Sequence, residues 1–252
     1  MIRFYKKIEI GFSILWIIIY VIGSSCCSKF SEMVAINFLF EAIFHFLLAC
    51  FFVFWIYKHK MATKYGLCKS PFSAKYFLYF IPLIVLVSIN FWFGIKFETS
   101  ILECILFIVS MLCVGFVEEI IFRGFLFKAM EKDNVKTAII VSSITFGIGH
   151  IINLFNSEIN VVSTICQVGY TIAIGFLFVI IFYRGQSLLP CIITHSLVNA
   201  TSIFANYKSI TTEIITSAIT ILIAIIYLLV IIKILPKNSN TTDIDNNNAK
   251  YQ

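Results

Sequence analysis

Charged residues are scarce in this chain of 252 residues, because Asp, Glu, Lys and Arg together make up only 13%. Soluble domains carry roughly a quarter of charged residues, whereas 60% of this chain is hydrophobic and 27 residues are phenylalanine. A compact water-soluble domain has too little interior to bury so much apolar surface. The composition therefore excludes a soluble enzyme, a disordered chain and a nucleic-acid-binding module, and it predicts a polytopic membrane protein.

The apolar runs lack the alternation of polar and apolar residues that marks a porin-type barrel, which excludes that fold. The chain also lacks a CxxC motif. Its eight cysteines lie mostly inside apolar runs, where a free cysteine behaves as a small hydrophobic residue, so all eight are predicted to be structural. The adjacent Cys26 and Cys27 are expected in a short loop after the first span.

A helix needs about 20 apolar residues to cross a bilayer core, and this measure predicts an all-α polytopic bundle of about eight spans. Residues 1–234 are expected to form a single transmembrane domain, and the Asn-rich residues 235–252 a disordered cytoplasmic tail. The predicted spans are 8–23, 34–57, 76–94, 100–127, 136–155, 160–182, 188–205 and 212–234.

Lysine and arginine residues fall mostly on one side of these predicted spans. With the N-terminus inside, the inner segments hold 15 of them, and the outer segments hold only Lys29, Lys96 and Lys208. Because cytoplasmic loops of membrane proteins carry the excess of basic residues, we expect a multi-pass protein of the cell membrane with both termini cytoplasmic.

Ionisable residues inside membrane spans are costly and are candidates for function. Glu41 and His45, four residues apart in the second span, can pair with each other. A locally satisfied pair or a hydrogen bond between helices is the favoured interpretation of these two residues.

A larger set of polar residues occurs in the fourth, fifth and seventh spans. A Glu-Glu pair at a helix end is often only a solvated terminus, and a lone membrane histidine often only joins two helices. Three such groups in one chain favour a functional site. The segments are Glu118–Arg123, Phe146–His150 and His195–Asn199.

Helix geometry assigns different roles to these side chains. Glu119 and Arg123 share a face and are predicted to form a salt bridge. Glu118 lies about 100° further round the helix, so we expect it to point elsewhere, without a partner, and to act as a general base or acid. His195 and Asn199 also share a face, and their donors suit the stabilisation of an oxyanion.

Three smaller features accompany these motifs. Gly147 and Gly149 precede His150 and predict a close approach of another helix or of a substrate. Pro190 suits the first turn of the seventh span. By the orientation above, the site would lie in the inner half of the membrane.

The motifs EExxxR (Glu118–Arg123), FxxxH (Phe146–His150) and HxxxN (His195–Asn199) resemble, in order and spacing, those of the CPBP family. This family comprises CAAX proteases, bacteriocin-processing enzymes and Abi proteins. The resemblance covers about residues 100–205 and implies an intramembrane endopeptidase with a conical active-site cavity. Its eukaryotic members remove the last three residues of prenylated proteins, so the implied partners are a peptide or prenylated protein substrate and membrane lipid, with no nucleic acid.

By this resemblance, Glu118 activates the attacking water with help from His150, and His195 and Asn199 hold the oxyanion. Glu119 and Arg123 support the site. Glu118, His150 and His195 also make up a set of three zinc ligands, as catalytic zinc requires. The chain lacks HExxH and Asn199 has no place in a zinc shell, so we favour a mechanism without a cofactor, with zinc as the alternative.

Two other functions remain open from the sequence. The first is a non-catalytic membrane protein of the same fold, such as a bacteriocin self-immunity or scaffold protein. The second is a small transporter with Glu41, Glu118 and His150 as a proton relay. The complete motif set disfavours the first, and the lack of an internal repeat disfavours the second.

Overall fold

The computed structural model describes residues 1–71, 81–155, 160–206 and 209–235. These residues form an α-helical bundle, in which the only strand-like pairing is an isolated bridge between Ile95 and Ala205. The predicted all-α architecture is therefore confirmed. The α-helices are α1 Ile2–Lys7, α2 Glu9–Met33, α3 Leu39–Lys58, α4 Ile81–Ser88, α5 Ile101–Glu119, α6 Lys128–Met130, α7 Val135–Ile148, α8 Val161–Gly185, α9 Leu189–Thr201 and α10 Ile210–Ile234.

Within these described ranges, six helical stretches are long and apolar enough to cross a membrane. Two further predicted spans, 76–94 and 188–205, correspond to the shorter apolar helices Ile81–Phe91 and Leu189–Phe204. The predicted count of eight full spans is therefore not confirmed. The predicted disordered tail after residue 235 lies outside the described residues, as does the start of the third predicted span.

Several helix starts follow from polar capping residues in the sequence. The side chains of Ser100, Asn134 and Ser209 accept backbone N–H groups at the starts of α5, α7 and α10, which satisfies donors that a helix leaves free. Pro190 occupies the first turn of α9, as predicted. Helix α2 runs ten residues beyond the predicted first span, so the prediction of a loop at Cys26 and Cys27 was wrong.

The outward faces of the long helices are apolar and exposed. Ile18 and Ile22 on α2, Leu47 on α3, and Leu222 and Leu229 on α10 are each between 49% and 61% exposed. In a soluble protein such a surface would be an aggregation or interaction site. Here it encircles a bundle of apolar helices and provides the surface for lipid, as expected for a multi-pass membrane protein.

Short contacts define the two ends of the bundle. One end, which we call the basic end, joins residues 5–9, 61–71, 128–134 and 184–188: Lys64 and Lys132 both contact Glu9, and Ser70 donates to the carbonyl of Gly185. The opposite end joins residues 31–38, 95–103 and 202–206. There Asn37 donates to Glu103, and the amide of Lys96 donates to the carbonyl of Phe204.

The basic end is closed by a cluster of buried rings that we call the aromatic plug: Phe12, Phe52, Trp55, Tyr65 and Phe125. The ring of Phe125 lies at the centre, with centroids 5.2–5.8 Å from the other four. All five rings are at most 4% exposed. Edge-to-face packing of this kind adds to the stability gained from burial of the rings.

Candidate active site in the centre of the bundle

The helix that begins at Ile101 changes its winding at the first motif. Immediately after Glu119, residues Ile120–Phe127 form a π-helix, and every one of them is buried. The carbonyl of Phe122 accepts a hydrogen bond from Ser142 on α7, at 2.8 Å. π-helical turns are rare and occur frequently at functional sites, and here the turn carries Arg123.

Glu119 and Arg123 form the predicted ion pair. The Arg123 Nη1 to Glu119 Oε1 distance is 3.1 Å, and both side chains are fully buried. Despite this short distance, none of the Arg123 N–H groups is aligned to donate a hydrogen bond to a described residue. The guanidinium instead lies over the ring of Phe146, 4.1 Å from its centre, which stabilises the cation by a cation–π interaction.

Helix α9 packs closely on α5, and this places His195 beside the two glutamates. A methyl group at Gly115 would lie 2.5 Å from the backbone nitrogen of Ser196, so only glycine permits this approach. The Ser196 hydroxyl donates to the carbonyl of Leu112, at 2.9 Å. This contact fixes the position of the third motif, along the helix axes, relative to the first motif.

His195 contacts both glutamates of the first motif. Its Nδ1 lies 2.9 Å from Glu119 Oε1, and its Nε2 lies 3.4 Å from Glu118 Oε2. Glu119 is paired with Arg123 and acts as an acceptor, so we assign a proton to Nδ1 of His195. The prediction that Glu118 has no partner was wrong, because His195 contacts it as well as Glu119.

Tyr20 on α2 is the second partner of Glu118. Its hydroxyl donates to Glu118 Oε1 at 2.6 Å. Sequence analysis missed this residue, because a tyrosine in an apolar span has no spacing that connects it to a glutamate 98 residues away. The contact brings the first span, which carries none of the three motifs, into the site.

His150 and Asn199 complete the set of predicted catalytic residues. His150 lies in the 3₁₀ segment Gly149–Phe155 that follows α7, with its ring centre 5.8 Å from that of Phe146. Asn199 lies one turn after His195 on α9. Both side chains are half-buried, and both line the same cavity as Glu118 and His195.

This cavity has a volume of about 1120 Å³ and lies between the helices, where ligand sites of bundles are commonly found. Its deep part is lined by Glu118, Phe146, Phe178 and His195, all at most 9% exposed. Glu119 and Arg123 are fully buried next to these residues and do not line the cavity. The structure thus brings Glu118, His150, His195 and Asn199 to one cavity and leaves the ion pair as their support.

Residues 100–201 match the family model described as type II CAAX prenyl endopeptidase Rce1-like. This segment is therefore similar to the CAAX prenyl endopeptidases that the model describes. The match runs from the residue before α5 to the end of α9 and covers well under half of the chain. No curated protein and no solved structure matches the chain.

Glu118, His150 and His195 are the candidate ligands of a zinc site. Zinc needs three protein ligands within about 2.0–2.3 Å of one point. Within the part of the chain that the structure describes, no group of three or more His, Cys, Asp or Glu side chains is placed to hold a metal ion. In addition, Nδ1 of His195 is hydrogen-bonded to Glu119 and is not free to bind a metal. The set Glu118, His150 and His195 therefore does not fit zinc in this arrangement.

Glu41 and His45 do not pair with each other, contrary to one of the sequence predictions. Ser31 donates to Glu41, and the two ring nitrogens of His45 contact Ser24 on α2 and Ser110 on α5, at 2.9 and 2.8 Å. The alternative prediction, a hydrogen bond between helices, is confirmed for His45. Both residues line the same cavity as the three motifs.

The two glycines of the second motif have different surroundings, which yields a matched test. A methyl group at Gly147 would lie 2.8 Å from the backbone nitrogen of Ile172 on α8, whereas one at Gly149 would meet nothing within 4 Å. We expect Gly147→Ala to destabilise the protein by about 1–3 kcal/mol because α7 and α8 must separate. Gly149→Ala should unfold like the wild type. Thermal unfolding of the detergent-purified variants measures both, and equal effects would contradict the packing described.

Proposed function

We infer that the protein is an intramembrane endopeptidase that hydrolyses a peptide bond with a water molecule activated by Glu118. The observation that carries this proposal is the position of His195. It touches both glutamates of the EExxxR motif in the wall of a cavity that also contains His150 and Asn199. The match of residues 100–201 to the CAAX prenyl endopeptidase model supports the reaction class.

In the proposed reaction, Glu118 takes a proton from water as the water oxygen bonds to the scissile carbonyl carbon. The carbonyl oxygen becomes an oxyanion, which accepts hydrogen bonds from the Asn199 amide and from the Nε2–H of His195. In this scheme both ring nitrogens of His195 carry a proton, because Nδ1–H donates to Glu119 at the same time. The C–N bond then breaks, and Glu118 returns its proton to the leaving amine. His150 assists Glu118 in positioning the water. General base catalysis and oxyanion stabilisation together account for large rate enhancements.

Glu119 and Arg123 have a positioning role in this scheme. The carboxylate of Glu119 holds the His195 ring by one nitrogen, and Arg123 neutralises that carboxylate. This resembles the way a buried aspartate orients histidine in serine proteases. Because both residues are fully buried and outside the cavity, they do not contact the substrate.

The proposal is tested with purified protein in lipid nanodiscs and a panel of peptides analysed by mass spectrometry. The panel contains farnesylated CAAX peptides, their unprenylated counterparts and bacteriocin-type leader peptides. We expect specific cleavage of at least one class. A folded protein that cleaves none of them, but retains a peptide on a pull-down, would support the non-catalytic immunity or scaffold function instead.

Metal removal separates the two mechanisms that use the same residues. We expect cleavage to continue in the presence of a strong chelator, because no step of the proposed reaction uses a metal. His195→Ala should lose about 10²–10³ in rate, the typical effect of removing one oxyanion donor, and retain residual activity. Stoichiometric zinc in active protein, lost with activity on dialysis against chelator and restored together by added zinc, would contradict the metal-free mechanism.

Tyr20 provides a test of the contact between α2 and Glu118. Tyr20→Phe keeps the ring and removes the hydroxyl that donates to Glu118. Hydrogen bonds to charged groups contribute about 1.5–3 kcal/mol, so we expect kcat to fall by about 10–100-fold with little change in KM. Tyr57→Phe, on the exposed face of α3, is the matched control. Wild-type kcat in Tyr20→Phe would exclude a role for this hydroxyl in positioning Glu118.

A further inference from the structure

A histidine outside the three motifs is buried close to the candidate active site. His45 on α3 is 3% exposed, and each of its ring nitrogens contacts a hydroxyl group of another helix. Nε2 lies 2.9 Å from the hydroxyl of Ser24 on α2, and Nδ1 lies 2.8 Å from the hydroxyl of Ser110 on α5. The proposed reaction gives this histidine no role. An ionisable residue inside the membrane is nevertheless a candidate for function.

The contacts of His45 continue to Glu118. Ser24 lies one turn after Tyr20 on α2 and forms a side-chain hydrogen bond with it, and the ring centres of Tyr20 and His45 are 5.7 Å apart. The Tyr20 hydroxyl in turn donates to Glu118 Oε1 at 2.6 Å. A chain of hydrogen bonds therefore runs from Ser110 through His45, Ser24 and Tyr20 to Glu118. It starts and ends on α5 and passes through α3 and α2.

The carboxylate at the end of this chain sets the direction of every hydrogen bond in it. A carboxylate only accepts, so the Tyr20 hydroxyl donates to Glu118 and accepts from Ser24. Ser24 has then used its one hydrogen, so it accepts from Nε2–H of His45. A neutral imidazole has one N–H, which leaves Nδ1 as the acceptor for the hydroxyl of Ser110. All donors of the chain thus point toward Glu118.

We propose that His45 is a positioning residue for the candidate general base, and that it acts through Ser24 and Tyr20 to hold the Tyr20 hydroxyl in the orientation that donates to Glu118. This role rests on the proposed peptidase function, because it acts on the group that activates the water. Without Nε2–H of His45, the Ser24 hydroxyl is no longer held as a donor to Tyr20. Hydrogen bonds in a chain polarise one another, so the loss of one link weakens the bond to Glu118.

Two replacements of His45 separate this role from simple packing. Glutamine places its amide near the position of Nε2 and donates to Ser24, whereas asparagine places its amide near Nδ1 and keeps only the contact with Ser110. We expect His45→Gln to stay within about twofold of the wild-type kcat, and His45→Asn to lose about 3–10-fold in kcat at unchanged KM, the effect of one neutral hydrogen bond. Equal losses in the two variants would overturn the proposal.

Ser24→Ala breaks the same chain at a half-buried position, so it carries the test even if a variant of His45 does not fold. It should lose as much kcat as His45→Asn. The matched control is Ser13→Ala, which removes a hydroxyl that donates to the carbonyl of Glu9 on the same helix and should keep the wild-type kcat. Wild-type kcat in Ser24→Ala would also overturn the proposal.

A double-mutant cycle with Tyr20→Phe tests whether the effect passes through Tyr20. Once the Tyr20 hydroxyl is absent, we expect Ser24→Ala and His45→Asn to cause no further loss of kcat, because residues of one hydrogen-bond network are not additive. Losses that add to that of Tyr20→Phe would show that His45 acts on the enzyme independently of Tyr20, which contradicts the proposal.

A measurement that needs no catalysis keeps this test separate from the peptidase function. The chain has four histidines, so ¹⁵N-histidine labelling gives few imidazole signals, and the signals lost in His45→Gln belong to His45. We expect neutral His45 with its hydrogen on Nε2, and a shift of that signal in Ser24→Ala. A hydrogen on Nδ1 would overturn the proposal. A protein with the expected tautomer that cleaves no peptide would contradict the peptidase function, on which the role rests, and not the chain itself.

Discussion

Glu118→Gln is expected to lower the rate of peptide hydrolysis by about 10²–10⁴ or more, the usual contribution of a general base. Glutamine keeps the shape of the side chain and still accepts the hydrogen bond from Tyr20, but it does not take a proton from water. Because Glu118 lines the cavity and is not part of the buried ion pair, the variant should accumulate in the membrane at the wild-type level.

Steady-state cleavage of the best peptide from the panel measures this effect. The control is Glu131→Gln, which makes the same chemical change in a half-exposed ion pair with Lys128, far from the cavity, and should leave the rate unchanged. Full activity in Glu118→Gln would show that another group activates the water. His150 would then be the first candidate, since it lines the same cavity as Glu118.

Glu119→Gln is expected to destabilise the protein by about 3–5 kcal/mol, the cost of leaving one partner of a buried ion pair without its counter-charge. Arg123 is fully buried. Among the described residues, Glu119 is the only carboxylate that forms a salt bridge with it. The same change also weakens the acceptor for Nδ1 of His195. The yield and the thermal stability of the purified protein should both fall.

Two control variants isolate the cause of that loss. Glu131→Gln removes one partner of a partly exposed pair and should cost no more than about 1 kcal/mol. The double variant Glu119→Gln, Arg123→Met removes the unpaired charge and should recover part of the lost stability while catalysis stays impaired. A Glu119→Gln protein as stable as the wild type would contradict the assignment of this ion pair as the support of the site.

The contacts that were predictable from the sequence are those within one helix. Glu119 and Arg123 are four residues apart, so helical geometry alone places them together, and the structure confirms the pair. The general positions of the apolar helices follow from composition in the same way. Likewise, Pro190 begins its helix where its missing N–H is harmless.

The contacts that were not predictable depend on packing between helices. The winding of Ile120–Phe127 changes to a π-helix, which no spacing rule signals. The approach of Ser196 to Gly115 sets His195 between both carboxylates, and Tyr20 reaches Glu118 from 98 positions away. Helix α2 continues through Cys26 and Cys27. Its residues Ser24 and Ser31 form hydrogen bonds with His45 and Glu41 on α3, and these contacts cannot be read from the local sequence.

Isotope labelling of the cleavage products tests the central claim, hydrolysis by a water activated at Glu118, most directly. Wild-type protein cleaves a susceptible peptide in H₂¹⁸O, and mass spectrometry examines both the products and the intact enzyme during turnover. The account predicts one ¹⁸O in the new carboxyl terminus, an enzyme of unchanged mass throughout, and product from Glu118→Gln at a rate lower by about 10²–10⁴ or more. An enzyme that gains the mass of a peptide fragment during turnover, or a Glu118→Gln variant that forms the labelled product at the wild-type rate, would contradict it.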